Sequence, residues 1–110
     1  MNNFIIKPSK FLIEQVKKLD NKAKKTIYDK KELIKINPFR YKKVHSKNYN
    51  HVFSVRLSSK REAKRLIYVV IKNIIFLCFI LDRSKGYKDL EQYFKKIEDE
   101  RKKGHVMGIN

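Results

Sequence analysis

The sequence is poor in cysteine, glycine and histidine, and each deficit excludes a kind of site. Its one cysteine, Cys78, rules out an internal disulfide and a cysteine metal site, which fits a reducing compartment. Three glycines leave no glycine-rich phosphate loop. The three histidines are scattered and have no carboxylate pair near them, so we expect neither a metal nor another cofactor.

Long apolar runs are also lacking. The longest largely apolar span, Leu66–Leu81, covers 16 residues and carries Lys72 near its middle, whereas a helix needs about 20 apolar residues to cross a bilayer. The amino-terminal segment lacks the extended apolar core of a signal peptide. We therefore expect a cytoplasmic protein with no membrane partner.

Negative charge is scarce as well. The chain has 28 lysines and arginines against 11 aspartates and glutamates, a formal net charge of +17. Such an excess favours a polyanionic partner, either a nucleic acid or an acidic protein. Residues 88–103 hold six basic and five acidic side chains. The charge excess therefore lies in the first 87 residues, where we expect the nucleic-acid footprint.

What the sequence does contain is enough apolar residues for one core. Hydrophobic residues make up 42% of the 110 positions, which argues against a disordered basic tail. We expect one domain over residues 1–103 and a flexible tail over 104–110.

Two apolar runs, Leu66–Ile71 and Ile74–Leu81, predict the central strands of a sheet because they are short and rich in β-branched and aromatic residues. Lys72-Asn73 between them predicts a two-residue turn, in which Asn tolerates positive φ. Val52–Ser58 alternates apolar and polar residues and predicts a half-buried strand. Asn3–Lys7 predicts a short first strand that ends before Pro8.

Three helices are predicted from apolar stripes. Ser9 can cap the first helix, and Pro8 and Pro38 bound the first two helices, the second of which must end by Asn37. Phe39–Asn50 has no clear period and is expected to be a basic loop. The order β-α-α-β-β-β-α predicts an α+β fold, with a helical hairpin on one face of an antiparallel sheet. The apolar residues of the stripes are Leu12, Val16 and Leu19, then Ala23, Ile27 and Ile34, then Leu90, Phe94 and Ile97.

Three of the six arginines, Arg56, Arg65 and Arg83, fall on or beside the strands that we place together. An arginine fork donates two hydrogen bonds to a phosphate and stays charged, although a solvated arginine at a strand edge is the alternative interpretation. Tyr87 could stack on a base, transfer a proton or simply pack. Either His45 or His51 could be a general base, because histidine titrates near neutral pH, although a lone loop histidine is usually solvated. Further basic residues that could bind RNA phosphates are Lys24, Lys25, Lys31, Arg40, Lys42, Lys43 and Lys64.

The order of elements, together with local motifs over Phe4–Tyr87, resembles the RelE/ParE toxin superfamily. The opening helix is similar to the family's "F…L.KL" pattern, and an Asn-Pro break follows the second helix. The strand pair is similar to "Y.VRV…YRIIY", and the segment after the last core strand is placed like the family's "HRKDVY". These motifs are FLIEQVKKLD at Phe11–Asp20, INPF at Ile36–Phe39, Phe53–Leu57 with Lys64–Tyr68, and DRSKGY at Asp82–Tyr87.

This resemblance implies a toxin of a toxin–antitoxin pair that acts as a ribosome-dependent, metal-independent mRNA endoribonuclease. It implies a cognate antitoxin, mRNA and ribosomal RNA as partners. Carried over by position, Arg56, Arg65, Arg83 and Tyr87 match the family's site. The sequence departs from the family pattern at Ser54, where a second lysine is usual, and at Asp82, where a histidine is common. The alternative is a non-catalytic protein, either a gyrase inhibitor of the ParE type or a basic RNA-binding module.

Overall fold

A computed structural model describes residues 3–57, 64–82 and 89–102 of the chain. Eight helices and strands follow one another in these ranges. They are β1 (Ile5–Pro8), α1 (Lys10–Lys17), α2 (Asn21–Ile36), β2 (Lys42–Val44), β3 (Val52–Leu57), β4 (Lys64–Ile71), β5 (Ile74–Asp82) and α3 (Leu90–Lys102). The predicted α+β class is confirmed, and none of the helices in the described ranges is long and apolar enough to span a bilayer.

The helical hairpin forms because both helices begin at a side-chain cap. The Ser9 hydroxyl accepts a hydrogen bond from the backbone N–H of Leu12 at 2.9 Å, as its position predicts. The Asp20 carboxylate accepts one from the N–H of Ala23 at 2.8 Å. The second helix ends at Ile36, since Pro38 disfavours helical geometry in the residue before it.

The five strands form one sheet in the order β1-β5-β4-β3-β2. Its strands are antiparallel except for β1, which runs parallel to β5, so the sheet is mixed where the sequence predicted an antiparallel one. The predicted basic loop at Phe39–Asn50 contains the short strand β2, which pairs with β3. Three residues are too few to show an alternating pattern, so the sequence could not indicate this strand.

The turn between β4 and β5 has the predicted length but a different conformation. Lys72 carries the positive φ, 55°, and Asn73 does not. Positive φ at the first central residue alone is the pattern of a type II′ turn, whose twist suits an antiparallel pair of strands. The turn therefore places an unfavourable left-handed backbone on a lysine.

A β-bulge changes which residues of β5 face each side of the sheet. Ile67 pairs with Phe79 and Tyr68 with Leu77, so Cys78 is the extra residue. Helix α1 satisfies the backbone around this bulge, where the Ser9 hydroxyl donates to the carbonyl of Cys78. The Gln15 amide donates to the carbonyl of Ile80 at 3.0 Å and accepts from its N–H at 2.7 Å.

Each face of the sheet has its own core. On the first face, α1 and α2 pack over residues such as Val55, Leu66 and Tyr68. On the second face, α3 packs over Val52, Ile67 and Phe79. The helix α3 does so with its predicted stripe, whose members are at most 2% exposed: Leu90, Phe94 and Ile97.

Candidate active site

Two of the predicted site residues lie side by side on the second face of the sheet. Arg56 on β3 and Arg65 on β4 are direct cross-strand partners. Opposed residues in an antiparallel pair have Cβ atoms about 5 Å apart and point to the same face. The side chain of Arg56 is exposed and that of Arg65 is half-buried. The two guanidinium groups therefore belong to one surface, which also carries α3.

The electrostatics of this arginine pair favour an anion. Like charges directly opposite each other destabilise a strand pair, and a carboxylate would normally relieve the repulsion. No ion pair within residues 3–57, 64–82 and 89–102 involves Arg56 or Arg65. A phosphate held between the two guanidinium groups would offset the repulsion and receive charge-assisted hydrogen bonds.

The neighbouring strand adds a lysine to this surface. Lys42 on β2 is the direct cross-strand partner of Ser54, and Ser54 shares its face with Arg56 because they are two residues apart on β3. Lys42 is exposed, while Ser54 is buried. The strand β2 thus places the side chain of Lys42 next to Ser54.

The other predicted RNA-binding residues are distributed over different surfaces. Arg40 lies over the ring of Tyr41, 5.5 Å from its centroid. Lys43 is exposed on β2, and Lys64 is opposite Leu57 and Asp82 at the start of β4. The three lysines of α2 lie in the layer that covers the first face, across the sheet from the arginine pair: Lys24, Lys25 and Lys31.

The remaining catalytic candidates, Arg83 and Tyr87, lie outside the described residues, and their roles stay predictions.

His45 and His51 lie near the start of β3, at the end of this strand that is away from Arg56. His51 precedes the strand and packs edge-on against Phe39, with ring centroids 6.2 Å apart. From Val52 to Arg56 the strand rises about 13 Å, so neither His45 nor His51 neighbours the arginine pair. The described part of the chain has no cluster of His, Cys, Asp or Glu able to hold a metal.

The helix α3 is fixed beside this surface by two carboxylates. Glu91 accepts hydrogen bonds from the Ser46 hydroxyl at 3.1 Å and the Lys47 N–H at 2.9 Å. Glu98 accepts one from the Tyr49 hydroxyl at 2.7 Å. Both carboxylates contact the segment between β2 and β3, so within the described residues they leave the arginine pair uncompensated.

The architecture and the basic surface define a small α+β domain that can hold an anion on one sheet face. Its fold is that of the RelE toxins. A double arginine-to-alanine mutant of E. coli toxin RelE in the free state is similar with a TM-score of 0.67 and 18% identity, over 88% of this chain and 99% of that one. The archaeal RelE–RelB complex from Pyrococcus horikoshii gives a TM-score of 0.62 and 15% identity, over 76% and 99% of the two chains.

The intact E. coli RelBE toxin–antitoxin complex gives a TM-score of 0.58 and 18% identity, over 70% of this chain and 93% of that one. No protein-family model and no curated protein matches the sequence. The predicted resemblance to RelE is therefore confirmed at the level of the fold.

Proposed function

We propose that this protein is the toxin of a toxin–antitoxin pair and that it cleaves mRNA on the ribosome. The observation that carries the proposal is the cross-strand pair of Arg56 and Arg65 on one sheet face. The RelE fold supports it, because two of the structures with this fold are complexes of RelE with RelB. The formal charge of +17 suits a protein that works among RNA phosphates.

The proposed reaction uses the substrate's own 2′-OH. The 2′-oxygen attacks the adjacent phosphorus, a new P–O2′ bond forms, and the P–O5′ bond breaks. The products are a 2′,3′-cyclic phosphate and a 5′-OH, and the proton lost by the nucleophile is balanced by the one gained by the leaving oxygen. Negative charge grows on the phosphoryl oxygens in the transition state, where Arg56 and Arg65 stabilise it more than they stabilise the ground state.

The surrounding basic side chains would hold the RNA strand. Lys42 lies on β2 and faces the same side of the sheet as the arginine pair, and Arg40 precedes this strand. Lys43 and Lys64 alternate to the other face, where they are opposite Phe53 and Leu57, so they could hold only the part of the strand that passes the sheet edge. Phosphate contacts of this kind position a strand without reading its sequence. Arg83 and Tyr87 are proposed to complete the site, with Tyr87 as a base-stacking or proton-transfer group.

Replacing Arg65 by alanine tests this proposal. Loss of one fixed electrostatic donor typically lowers a rate by about 10²–10³, so Arg65→Ala should lose growth arrest and mRNA cleavage while remaining folded. Arg56→Ala should behave alike. Lys18→Ala, which removes an exposed charge at the end of α1, should cleave like the wild type.

Primer extension on cellular mRNA would measure cleavage, and circular dichroism would confirm folding. Wild-type cleavage by a folded Arg65→Ala protein would remove this residue from the site. Growth arrest by the wild type with intact mRNA would instead favour a non-catalytic inhibitor, such as a gyrase-directed toxin.

A further inference from the structure

Phe39 is a large aromatic side chain that remains half exposed, although three other rings surround it. Its ring centroid lies 5.7 Å from that of Phe53 and 6.2 Å from those of Phe4 and His51, at interplanar angles between 68° and 87°. Phe4 and Phe53 are buried in the first core, whereas Phe39 is 50% exposed and His51 is exposed. The neighbouring rings therefore hold Phe39 in position while part of its surface stays open to solvent.

This aromatic pair, Phe39 and His51, lies away from the candidate active site. The backbone carbonyl of His51 accepts a hydrogen bond from the N–H of Val70 at 3.0 Å, so it belongs to the end of the sheet at which β3 begins and β4 ends. The residues from His51 to Arg56 extend over about 16 Å. Phe39 also packs against the first core, across the sheet from the arginine pair. A nucleotide bound between the two arginines is therefore too far away to contact Phe39 as well.

The chain around the aromatic pair is basic. Residues 33–61 contain no aspartate or glutamate and hold eight lysines and arginines. Arg40, which follows Phe39, is exposed and lies over the ring of Tyr41. The carboxylates of Glu91 and Glu98 approach this segment from the side of α3. Aromatic rings among cations are the combination by which proteins bind unpaired nucleotides, because the base stacks on a ring and the cations contact phosphates.

Exposed aliphatic side chains beside Phe39 raise the alternative of a protein partner. Ile36, at the end of α2, is 77% exposed, and Ile5, next to Phe4, is 49% exposed. A protein would bury these side chains together with Phe39, whereas a base needs only the face of a ring. RNA is the favoured occupant, because the segment that begins at Phe39 reads Phe-Arg-Tyr-Lys-Lys and so supplies rings and phosphate-binding cations together.

We propose that Phe39 and His51 form a stacking site for an unpaired base of ribosomal RNA. The inference rests on the proposed function, in which the chain works on the ribosome. The base would lie against the open surface of the Phe39 ring, and Arg40 would contact a neighbouring phosphate. Stacking of this kind tolerates any base, because every base has a π face. The arginine pair would remain available for mRNA, since it lies at the other end of β3.

A fluorescent variant tests whether a base reaches Phe39. The chain contains no tryptophan, so Phe39→Trp introduces a single indole, whose fluorescence is quenched when a base stacks on it. Ile13→Trp is the matched control, because Ile13 is 42% exposed on α1. Titration with a single-stranded 2′-O-methyl RNA should quench Phe39→Trp to saturation and leave Ile13→Trp nearly unchanged.

A second pair of variants separates stacking from apolar contact. Phe39→Leu keeps an apolar side chain against Phe53 but has no π face, and Ile36→Ala removes an exposed aliphatic side chain nearby. Phe39→Leu should raise the Kd for ribosomes free of mRNA, measured by co-sedimentation, by about fivefold or more, since a stacked base contributes about 1–3 kcal/mol and 1.4 kcal/mol is about tenfold. Its salt dependence should match that of the wild type, because stacking releases no counterions. Ile36→Ala should bind like the wild type.

Equal quenching of Phe39→Trp and Ile13→Trp, or quenching of neither, would overturn the stacking site. Wild-type affinity of a folded Phe39→Leu protein for ribosomes would overturn the assignment to ribosomal RNA, and quenching by the single-stranded RNA would then assign the site to mRNA. Weaker binding of Ile36→Ala to the purified product of the adjacent gene, with Phe39→Leu unchanged toward ribosomes, would assign this surface to a protein partner instead.

Circular dichroism confirms that each variant is folded. Failure of the proposed function shows separately, as absence of growth arrest and mRNA cleavage by the wild type. The fluorescence titration does not depend on cleavage, because the 2′-O-methyl RNA lacks the nucleophile.

Discussion

Tyr68 is the side chain that joins the sheet to the chain beyond the helical hairpin. It is fully buried in the first core, and its ring stacks on Phe53 with centroids 5.4 Å apart. Its hydroxyl donates a hydrogen bond to the carbonyl of Pro38, just after α2. Burial, and secondarily the neighbouring Tyr41, raises the pKa of Tyr68 above its ordinary value. The hydroxyl therefore stays protonated in the folded chain well into the alkaline range.

We expect Tyr68→Phe to lower the free energy of unfolding by about 1–3 kcal/mol, because the buried Pro38 carbonyl loses its donor. The wild type should also lose stability above about pH 10. There the unfolded chain's tyrosine ionises while the folded one cannot, so the unfolded state is favoured as pH rises.

Urea titrations at pH 8 and pH 10.5 would measure both effects. The free energy of unfolding should fall less between these pH values in Tyr68→Phe than in the wild type. The buried Cys78 thiol, whose pKa is also raised by burial, is common to both proteins and cancels in the comparison. An equal fall in the two proteins would contradict the assignment to Tyr68.

At the scale of elements, α3 is the segment whose docking bears most on the candidate active site. It covers part of the sheet face that carries Arg56 and Arg65, and a helix of this length is marginal by itself in water. Its apolar stripe and its two carboxylate contacts therefore hold it. We expect its amides to exchange with solvent faster than those of β4 and β5, which lie in the centre of the sheet.

Glu91→Ala should loosen α3. The carboxylate holds the Ser46 hydroxyl and the Lys47 N–H, and hydrogen bonds to a charged group contribute about 1.5–3 kcal/mol. Amides of Leu90–Ile97 should then exchange about tenfold faster or more in hydrogen-exchange mass spectrometry. Asp99→Ala, at an exposed position of the same helix, is the matched control. Unchanged exchange in Glu91→Ala would show that the Glu91 carboxylate does not hold the helix.

For the whole molecule, the basic residues within the described ranges lie on both sides of the sheet. The arginine pair and Lys42 face one way, and Lys24, Lys31 and Lys35 of α2 lie on the other side of the sheet. The first surface presents two guanidinium groups, which suit phosphate, on the rigid strands β3 and β4. The lysines on the other side border an apolar groove.

We expect RNA binding to fall steeply with salt, because each phosphate contact to a single strand contributes about 0.7 to the slope of log K against log salt. Lys42→Ala should lower the magnitude of this slope by about that amount. Lys18→Ala should leave it unchanged. Fluorescence anisotropy with a 2′-O-methyl RNA would measure the slope without cleavage, since its nucleophile is blocked. Equal slopes for the wild type and Lys42→Ala would exclude this lysine from the RNA path.

The sequence predicted the secondary structure well where a local physical signal exists. Ser9 capped α1 because its hydroxyl can reach the first free N–H groups, and α2 ended at Ile36, within the limit of Asn37 that Pro38 predicted. The prediction failed where only pairing with a neighbouring strand determines whether a strand forms and in which direction it runs. The strand β2 exists because β3 offers it an edge, and the parallel direction of β1 follows from the hairpin returning the chain across the sheet.

The sequence by itself determined the excess of positive charge, the two apolar strands of the centre and the stripe of α3, because composition and periodicity are local properties. Only the tertiary structure decided that Arg56 and Arg65 are opposed on one face, since strand register depends on how β3 and β4 pair. It also decided that Lys24, Lys31 and Lys35 of α2 line a groove on the other layer. A helix shows its charged side in sequence, but the surface that faces this side depends on how the hairpin packs against the sheet.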